Sequence, residues 1–354
     1  MTDKKKLTVA MSGGIDSAVA ALLAMKEGYS VSGATMVLCR KFDAEGKDLS
    51  KQDVDDAKSV CDKLNIPHSV YYMEDEFHNT VIRDFVDTYI SGGTPNPCIV
   101  CNRKLKFGTL LEKAMNEGAD LIATGHYARI ERRSDGRYLL KKAADNKKDQ
   151  TYMLWSLSQH QLSHTVFPLG DLTKPEIRQL GMDNGFVIAH KSDSQDICFV
   201  PDGDYATFIE KELGRKYPTG DYIDEYGNIL GRHKGIIHYT IGQRKGLGIS
   251  MGRHIFVTKK NAENNTVTLA DEDRLFTNTV VIKGINLIPF DKIEGKIRVK
   301  AKIRYRHEES DAYAEQTGAD EITLTFDEPQ RAPASGQSAV LYDGDYVVGG
   351  GIII

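Results

Sequence analysis

Apolar and polar positions follow two regimes along the chain. In the first two hundred residues, short apolar runs alternate with stretches of helical period. Leu7-Thr8-Val9-Ala10-Met11 reads as a short strand, and Ile15–Lys26 places Ala18, Val19, Leu22, Leu23 and Met25 among helix formers, with Gly28 as the stop. Residues 31–38 predict the next strand, Ser50 caps a predicted helix to about 64, and 68–73 follows as a strand. A helix over about 74–90 ends in the breaker cluster Ser91-Gly92-Gly93-Thr94-Pro95-Asn96-Pro97. A further helix over about 99–116 leads into the strand Leu121-Ile122-Ala123-Thr124. Strands separated by helices imply parallel βαβ units, so the expectation is an α/β protein on a doubly wound parallel sheet.

After about Gly203 the helical period fades and glycines multiply. From about 279, β-rich runs recur at 280–285, 296–305, 321–326, 338–342 and 346–354. Short strands with turn signals predict a small antiparallel barrel. The expected division is a catalytic α/β domain at 1–203, a central Gly-rich β domain at 204–275 and a C-terminal β-barrel at 276–354.

Composition narrows the class. The chain has 354 residues, 46 Lys and Arg against 50 Asp and Glu, and hence a formal charge of −4. A basic nucleic-acid coat is excluded, although a local basic patch is not. No apolar run reaches the roughly 18 residues of a membrane helix. The Lys-rich N-terminus is followed only by the short run 7–11, unlike a signal peptide, so a cytoplasmic protein with no membrane partner is expected. Five cysteines (Cys39, Cys61, Cys98, Cys101 and Cys198) are too few and too scattered for a secreted disulfide framework.

Met11-Ser12-Gly13-Gly14-Ile15-Asp16-Ser17 joins the first strand to the first helix. Its glycines let backbone approach a ligand, and the following helix end favours an anion. Ser12 and Ser17 add hydroxyl donors, and Asp16 is a candidate magnesium ligand. The loop is neither a Walker A motif nor a dinucleotide fingerprint. Ser-Gly-Gly-Ile-Asp-Ser instead resembles the loop of the ATP-pyrophosphatase superfamily, also called adenine nucleotide alpha hydrolase-like, whose members split ATP between the α and β phosphates. Ala123-Thr124-Gly125-His126 closes a predicted parallel strand at its carboxyl end, where such sheets bind ligands.

Cys98-Ile99-Val100-Cys101 sits at a predicted helix start, where the helix dipole and the nearby Arg103 and Lys104 favour thiolates. Cys198 lies apart, in Ser194-Gln195-Asp196-Ile197-Cys198-Phe199. Two readings stand: Cys101 and Cys198 as catalytic thiols, or Cys98, Cys101 and Cys198 as a three-thiolate metal or iron–sulfur site. Cys39 and Cys61 read as buried hydrophobes. In 296–306, Lys296, Arg298, Lys300, Lys302, Arg304 and Arg306 alternate with Ile297, Val299, Ala301 and Ile303. Six cations on one strand face without an acid look like a phosphate-backbone track. Lys141-Lys142 and Lys147-Lys148 form a second basic stretch.

Taken together, these residues resemble the tRNA-specific 2-thiouridylases of the bacterial MnmA type. The likeness extends over essentially the whole chain through Ser12–Ser17, Thr94-Pro95-Asn96-Pro97, Cys101-Asn102, Thr124-Gly125-His126-Tyr127-Ala128-Arg129, Lys148-Asp149-Gln150, the Cys198 segment, Gly242-Gln243-Arg244-Lys245-Gly246-Leu247-Gly248, Arg304-Tyr305-Arg306, Gly336-Gln337-Ser338-Ala339-Val340 and Gly349-Gly350-Gly351. The resemblance implies ATP-Mg at Ala10, Met11, Ser12, Gly13, Gly14, Ile15, Asp16 and Ser17, with Met36 and Gly125 near the adenosine. It implies adenylation of the C2 oxygen of the wobble uridine, then sulfur transfer, with Cys101 as nucleophile and Cys198 as persulfide carrier, linked in turn as a disulfide. Asn96, Pro97 and Cys98 map to the target-base loop, and His126, Lys148, Asp149, Gln150, Arg304, Tyr305 and Gln337 to tRNA contacts. The implied partners are the anticodon region of tRNA and a cysteine desulfurase or sulfur-relay protein. Many members of the family carry Asp where this chain has Cys98, which leaves free thiols and a cluster both open. The competing classes are another adenylating enzyme with this loop, which needs no Cys101/Cys198 pair, and a non-catalytic RNA-binding module.

Overall fold

The computed structural model describes residues 4–40, 49–190 and 197–354. The chain folds as two compact units, one of residues 1–80, 98–195 and 345–347, the other of 81–97, 196–344 and 348–354.

The first unit holds a parallel sheet of β1 (Lys6–Ala10), β2 (Ser30–Val37), β3 (His68–Tyr72), β4 (Leu121–Ala123) and, after an antiparallel hairpin of β5 (Arg129–Arg132) and β6 (Tyr138–Lys141), β7 (Thr165–Val166). The order is β3-β2-β1-β4-β7, with every neighbouring pair parallel. Leu7 and Val9 of β1 are fully buried, as a central parallel strand with helices on both faces requires. The order reverses between β1 and β4, paired through Leu7↔Leu121, Thr8↔Ile122 and Val9↔Ala123. This reversal brings the loops after β1 and β4 to the same carboxyl edge, where a ligand crevice opens in such sheets.

Helix α1 (Ile15–Lys26) is buried nearly all round through Ala18, Val19, Ala20, Ala21, Leu22 and Ala24. Its alanines let it lie close on the sheet, and Gly28 ends it at φ +93. Helix α2 (Leu49–Leu64) follows β2. The two longer helical runs both contain π turns. Helix α3 spans 74–90 with a π segment at His78–Ile82, and α4 spans 97–116 with one at Asn102–Thr109. Such widened turns often sit at functional positions.

The second unit carries two β layers. A four-stranded sheet is ordered β10-β11-β8-β9, from β8 (Gly220–Ile223), β9 (Ile229–His233), β10 (Phe256–Asn261) and β11 (Thr266–Ala270). The last six strands are β12 (Phe276–Leu287), β13 (Lys296–Lys302), β14 (Ser310–Gly318), β15 (Glu321–Arg331), β16 (Ser338–Asp343) and β17 (Tyr346–Ile353). They run β12-β15-β14-β13-β16-β17 and close because β12 also pairs with β17. Ile282, Val299, Ala312, Ala314, Ile322, Leu324, Ala339 and Leu341 fill the barrel. Strand β14 is absent from the sequence expectation. Its inward residues Ala312 and Ala314 are small and the rest of SDAYAEQTG is largely polar, so no apolar run marks it.

Candidate active site

The loop after β1 is shaped by close approach. Gly13 has φ +72, and a Cβ there would sit 2.6 Å from the Asp53 carbonyl oxygen of α2, so both torsion and space demand glycine. Gly14 is the N-cap of α1 and no side chain caps the helix, which leaves its first amides for a ligand. Ser17 Oγ donates to the Gly14 carbonyl at 2.9 Å and accepts from Ser12 N at 3.2 Å, bracing the turn. Ala10 is half-buried at the end of β1, Met11 and Ile15 are buried beneath the loop, and Ser12 is exposed. Met36 is half-buried towards the carboxyl end of β2.

Gly125 closes the crevice from the β4 side. A Cβ there would lie 2.9 Å from the Asp16 carbonyl carbon and from Ser17 N. The loops after β1 and β4 are therefore in backbone contact, as their neighbouring strands require. Thr124 Oγ1 and His126 Nδ1 are 2.7 Å apart, and the His126 ring lies against Phe107 of α4 and Phe167 at centroid distances of 5.8 and 6.1 Å. Burial, reinforced by Lys106, holds His126 well below the ordinary histidine range, so the imidazole is neutral at neutral pH.

Asp16 has a partner that sequence reasoning missed. Lys174 Nζ donates to Oδ1 and Oδ2 at 2.7 and 2.8 Å, and the Tyr127 hydroxyl donates to Oδ1 at 2.8 Å. Lys174 is 6% exposed and opens the helix Lys174–Asp183, which packs on α1. A cation in a helix's first turn opposes the macrodipole, and that is the one local signal that this lysine serves something else. Gln150 extends the network: its Oε1 accepts from Tyr127 N and its own N–H donates to the Tyr127 carbonyl, both at 2.9 Å. Asp149 is spent on Ala143 N (3.0 Å) and the Thr151 hydroxyl (2.6 Å), whereas Lys148 is half-buried.

In this structure the Asp16 carboxylate is ion-paired with Lys174 through both of its oxygens. Among the described residues no group of three or more His, Cys, Asp or Glu side chains is placed to hold a metal ion.

Cys98 is exposed in the first turn of α4, and Cys101 is 8% exposed one turn further, directly before the π segment. Asn102 is 2% exposed and its Nδ2 donates to the Met153 carbonyl at 2.9 Å, tying the Cys101 turn to the segment that follows Gln150. Cys198 is exposed and belongs to the second unit. Ser194, Gln195 and Asp196 beside it lie outside the described residues. Cys61 is fully buried, and burial pushes its thiol up to about 11, as an inert core cysteine requires. Cys39 is half-buried just past β2.

In the second unit, Gln337 Nε2 donates to the carbonyls of Thr94 (2.9 Å) and Pro95 (3.2 Å), so its amide holds the stretch just before the half-buried Asn96 and buried Pro97. The basic strand alternates as expected, with Val299 and Ala301 inward and Lys296, Arg298 and Lys300 outward. Its acids come from neighbouring strands. Arg298 pairs with Asp327 (2.8 Å) and Asp311 (3.6 Å), and Lys300 with Asp311 (3.2 Å). The picture of six uncompensated cations is thereby corrected. The strand also ends at Lys302, so Arg304, Tyr305 and Arg306 occupy the turn beyond it, where Arg304 Nη2 donates to the Ala332 carbonyl at 2.6 Å.

A pH dependence of stability follows from the histidines. Burial lowers His68, His126, His233, His238 and His307 below 6.5. Below that pH the unfolded chain binds protons that the folded chain refuses, so stability falls as pH drops through about 6.5 towards 5. The expected result is a lower Tm at pH 5.5 than at pH 7.5, with a shallower slope in His126→Gln; a flat profile across this window contradicts it.

Three family models match the chain in succession. They are described as the tRNA methyl transferase HUP domain over residues 5–202, the tRNA methyl transferase PRC-barrel domain over 206–271 and the aminomethyltransferase beta-barrel domain over 277–353. Whole-length similarity points to a different reaction name. A protein of Clostridioides difficile named tRNA-specific 2-thiouridylase MnmA is 48% identical over 353 residues, covering 99% of this chain and 98% of the relative. Proteins of the same name from Acetivibrio thermocellus and Treponema denticola are 49% identical over 356 residues and 46% over 357, each alignment covering at least 97% of either chain.

Proposed function

The chain belongs to the family of tRNA-specific 2-thiouridylases, and from that premise we propose that it adenylates the C2 oxygen of the wobble uridine of tRNA and replaces that oxygen with sulfur. Whole-chain identity near one half supports the tRNA sulfurtransferase reading over the methyltransferase description of the family models. The observation that carries the adenylation step is the backbone contact of Gly125 with Asp16 and Ser17, which closes a Gly-rich phosphate loop at the sheet's switch point.

In this reading ATP binds along 10–17, with Met36 and Gly125 beside the adenosine. Magnesium enters with the nucleotide and offsets the charge of its phosphates. The amides of Gly13, Gly14 and the first turn of α1 hold the phosphates, and the Lys174–Asp16–Tyr127 network keeps that turn in place. The uridine C2 oxygen attacks the α-phosphorus and pyrophosphate departs. The 96–98 loop receives the target base, while His126, Lys148, Asp149, Gln150, Arg304, Tyr305 and Gln337 serve the tRNA.

The incoming sulfur is the outer atom of a persulfide on Cys198, delivered by a cysteine desulfurase or a sulfur-relay protein. Exposure of Cys198 suits delivery from another protein. The Cys101 thiolate attacks the inner sulfur, which forms a Cys101–Cys198 disulfide and releases hydrosulfide. Hydrosulfide adds at C2, expels AMP and leaves 2-thiouridine; an external thiol then reduces the disulfide. The three-part division 1–203, 204–275 and 276–354 assigns adenylation to the first part and tRNA binding to the last. The cytoplasm, where thiols stay reduced, is the compartment this chemistry needs.

The test is nucleoside mass spectrometry of unmodified tRNA incubated with the protein, ATP-Mg and a persulfide donor. Sulfur confined to the wobble uridine is the expected result. Pyrophosphate release without sulfur gain keeps the loop assignment and overturns the persulfide route. Bound tRNA with neither product leaves the non-catalytic RNA-binding module.

A further inference from the structure

Residues 91–97 hold two glycines and two prolines and form no regular element until Pro97 opens α4. Three consecutive carbonyls of this loop are nevertheless satisfied by side chains from outside it. Gln337 serves Thr94 and Pro95, as described. Lys260, on β10, serves the one before them: its Nζ donates to the Gly93 carbonyl at 3.1 Å and to the Tyr239 carbonyl at 2.8 Å, and lies 5.8 Å from the centre of the Tyr89 ring. The backbone is pinned as well, with Thr94 N donating to the Ser335 carbonyl at 2.7 Å and Gly93 N to the Thr88 carbonyl at 2.8 Å. Gly336 has φ +88, and a Cβ there would lie 2.9 Å from Thr94 N, so the fit leaves no slack.

Lys260 is unusual among the lysines of this chain. No carboxylate pairs with it among the described residues, and burial pushes its pKa down to about 8. A half-buried ammonium served only by carbonyls and a ring face is an expensive way to hold a sheet together, since an apolar residue of that length would avoid the desolvation. What a long cationic side chain offers here, and an apolar one does not, is an arm with several donors that spans two backbone segments at once.

We propose that Lys260 is a positioning residue that clamps the 91–97 loop, so that Asn96 and Pro97 meet the target uridine in one fixed geometry. The proposal rests on the assignment of 96–98 as the target-base loop. Lys260 touches neither nucleotide nor base; it acts through the Gly93 carbonyl, three residues before Asn96.

The test compares Lys260→Met with Lys260→Arg and Gln337→Glu in the full-length protein. Lys260→Met keeps the length and removes the donors, while Lys260→Arg retains them. Hydrogen–deuterium exchange of the 91–97 amides reads the clamp directly: exchange rises in Lys260→Met and is restored towards wild type in Lys260→Arg. Steady-state kinetics read its purpose. In Lys260→Met, kcat for tRNA-dependent pyrophosphate release falls about tenfold to a hundredfold, while the ATP Kd stays within about twofold, because misplacing a reacting group costs rate rather than nucleotide affinity. Gln337→Glu, which loses the donor to the next two carbonyls, raises exchange of the same amides.

Unchanged exchange in Lys260→Met overturns the clamp. Raised exchange with wild-type kcat overturns its positioning role. A joint loss of ATP affinity, kcat and Tm assigns Lys260 to general stability instead and equally overturns it. If wild-type protein forms no 2-thiouridine at all, the functional reading fails, and the exchange arm still decides whether Lys260 holds the loop.

Discussion

Serine at Cys101 or at Cys198 is expected to abolish 2-thiouridine formation, by about a thousandfold or more, while tRNA-dependent pyrophosphate release continues. An alcohol cannot carry sulfane sulfur, and at neutral pH it does not supply the anion that cleaves a persulfide. The two positions suit different tasks. Cys198 is exposed, as a thiol that meets a donor protein must be, whereas Cys101 is nearly buried on a helical turn tied down through Asn102. Cys98 separates the two accounts of the thiols. It is exposed one turn before Cys101 in the loop assigned to the target base, so Cys98→Ser is expected to lower pyrophosphate release and thiolation together, not thiolation alone. Nucleoside mass spectrometry and pyrophosphate release on the same samples separate the two half-reactions. Loss of thiolation with pyrophosphate release intact in Cys98→Ser, together with iron in anaerobically purified protein, replaces the persulfide account with a three-thiolate cluster.

Removing Lys174 is expected to cost the first unit about 3 kcal/mol, the lower end for stranding one member of a buried ion pair, because Asp16 is itself 29% exposed at its side chain. For a unit of this size that corresponds to a Tm fall of roughly 6–12 °C in Lys174→Met. Asp16→Asn alone strands the deeper lysine and is expected to cost at least as much. The double variant is expected to recover most of the loss, since neither charge is then left unpaired. Its nucleotide affinity does not recover, because the first turn of α1 has lost the network through Lys174 that places it against Gly125. Thermal unfolding of the four proteins and ATP binding by calorimetry check both statements. Additive losses in the double variant contradict a coupled pair.

Much of the first unit was legible in the chain. The strand at 7–11, the loop, α1 and its stop at Gly28 depend on apolar period and on glycine torsions, which are local. The candidate site residues were legible for the same reason, since Ser12–Ser17 and the cysteine spacing are read without knowing their neighbours. The π segments inside α3 and α4 were not, because apolar spacing hardly distinguishes a widened turn from an ordinary one. Nor was β14, whose inward residues are two alanines.

What only the tertiary structure decided is which group each charged side chain meets. The sequence alone offered Asp16 as a metal ligand, and the fold brings Lys174, 158 residues later, onto both of its oxygens. It offered a strand of six cations, and antiparallel pairing sets Asp311 opposite Lys300 and brings Asp327 to Arg298. Lys260 carried no signal at all, yet it reaches a carbonyl 167 positions earlier in the chain. Secondary structure and residue chemistry follow from interactions within a few residues, which the order of amino acids states directly. Charge pairing and loop support are settled by strand order and burial, which bring distant segments together and remove the water that would otherwise satisfy them.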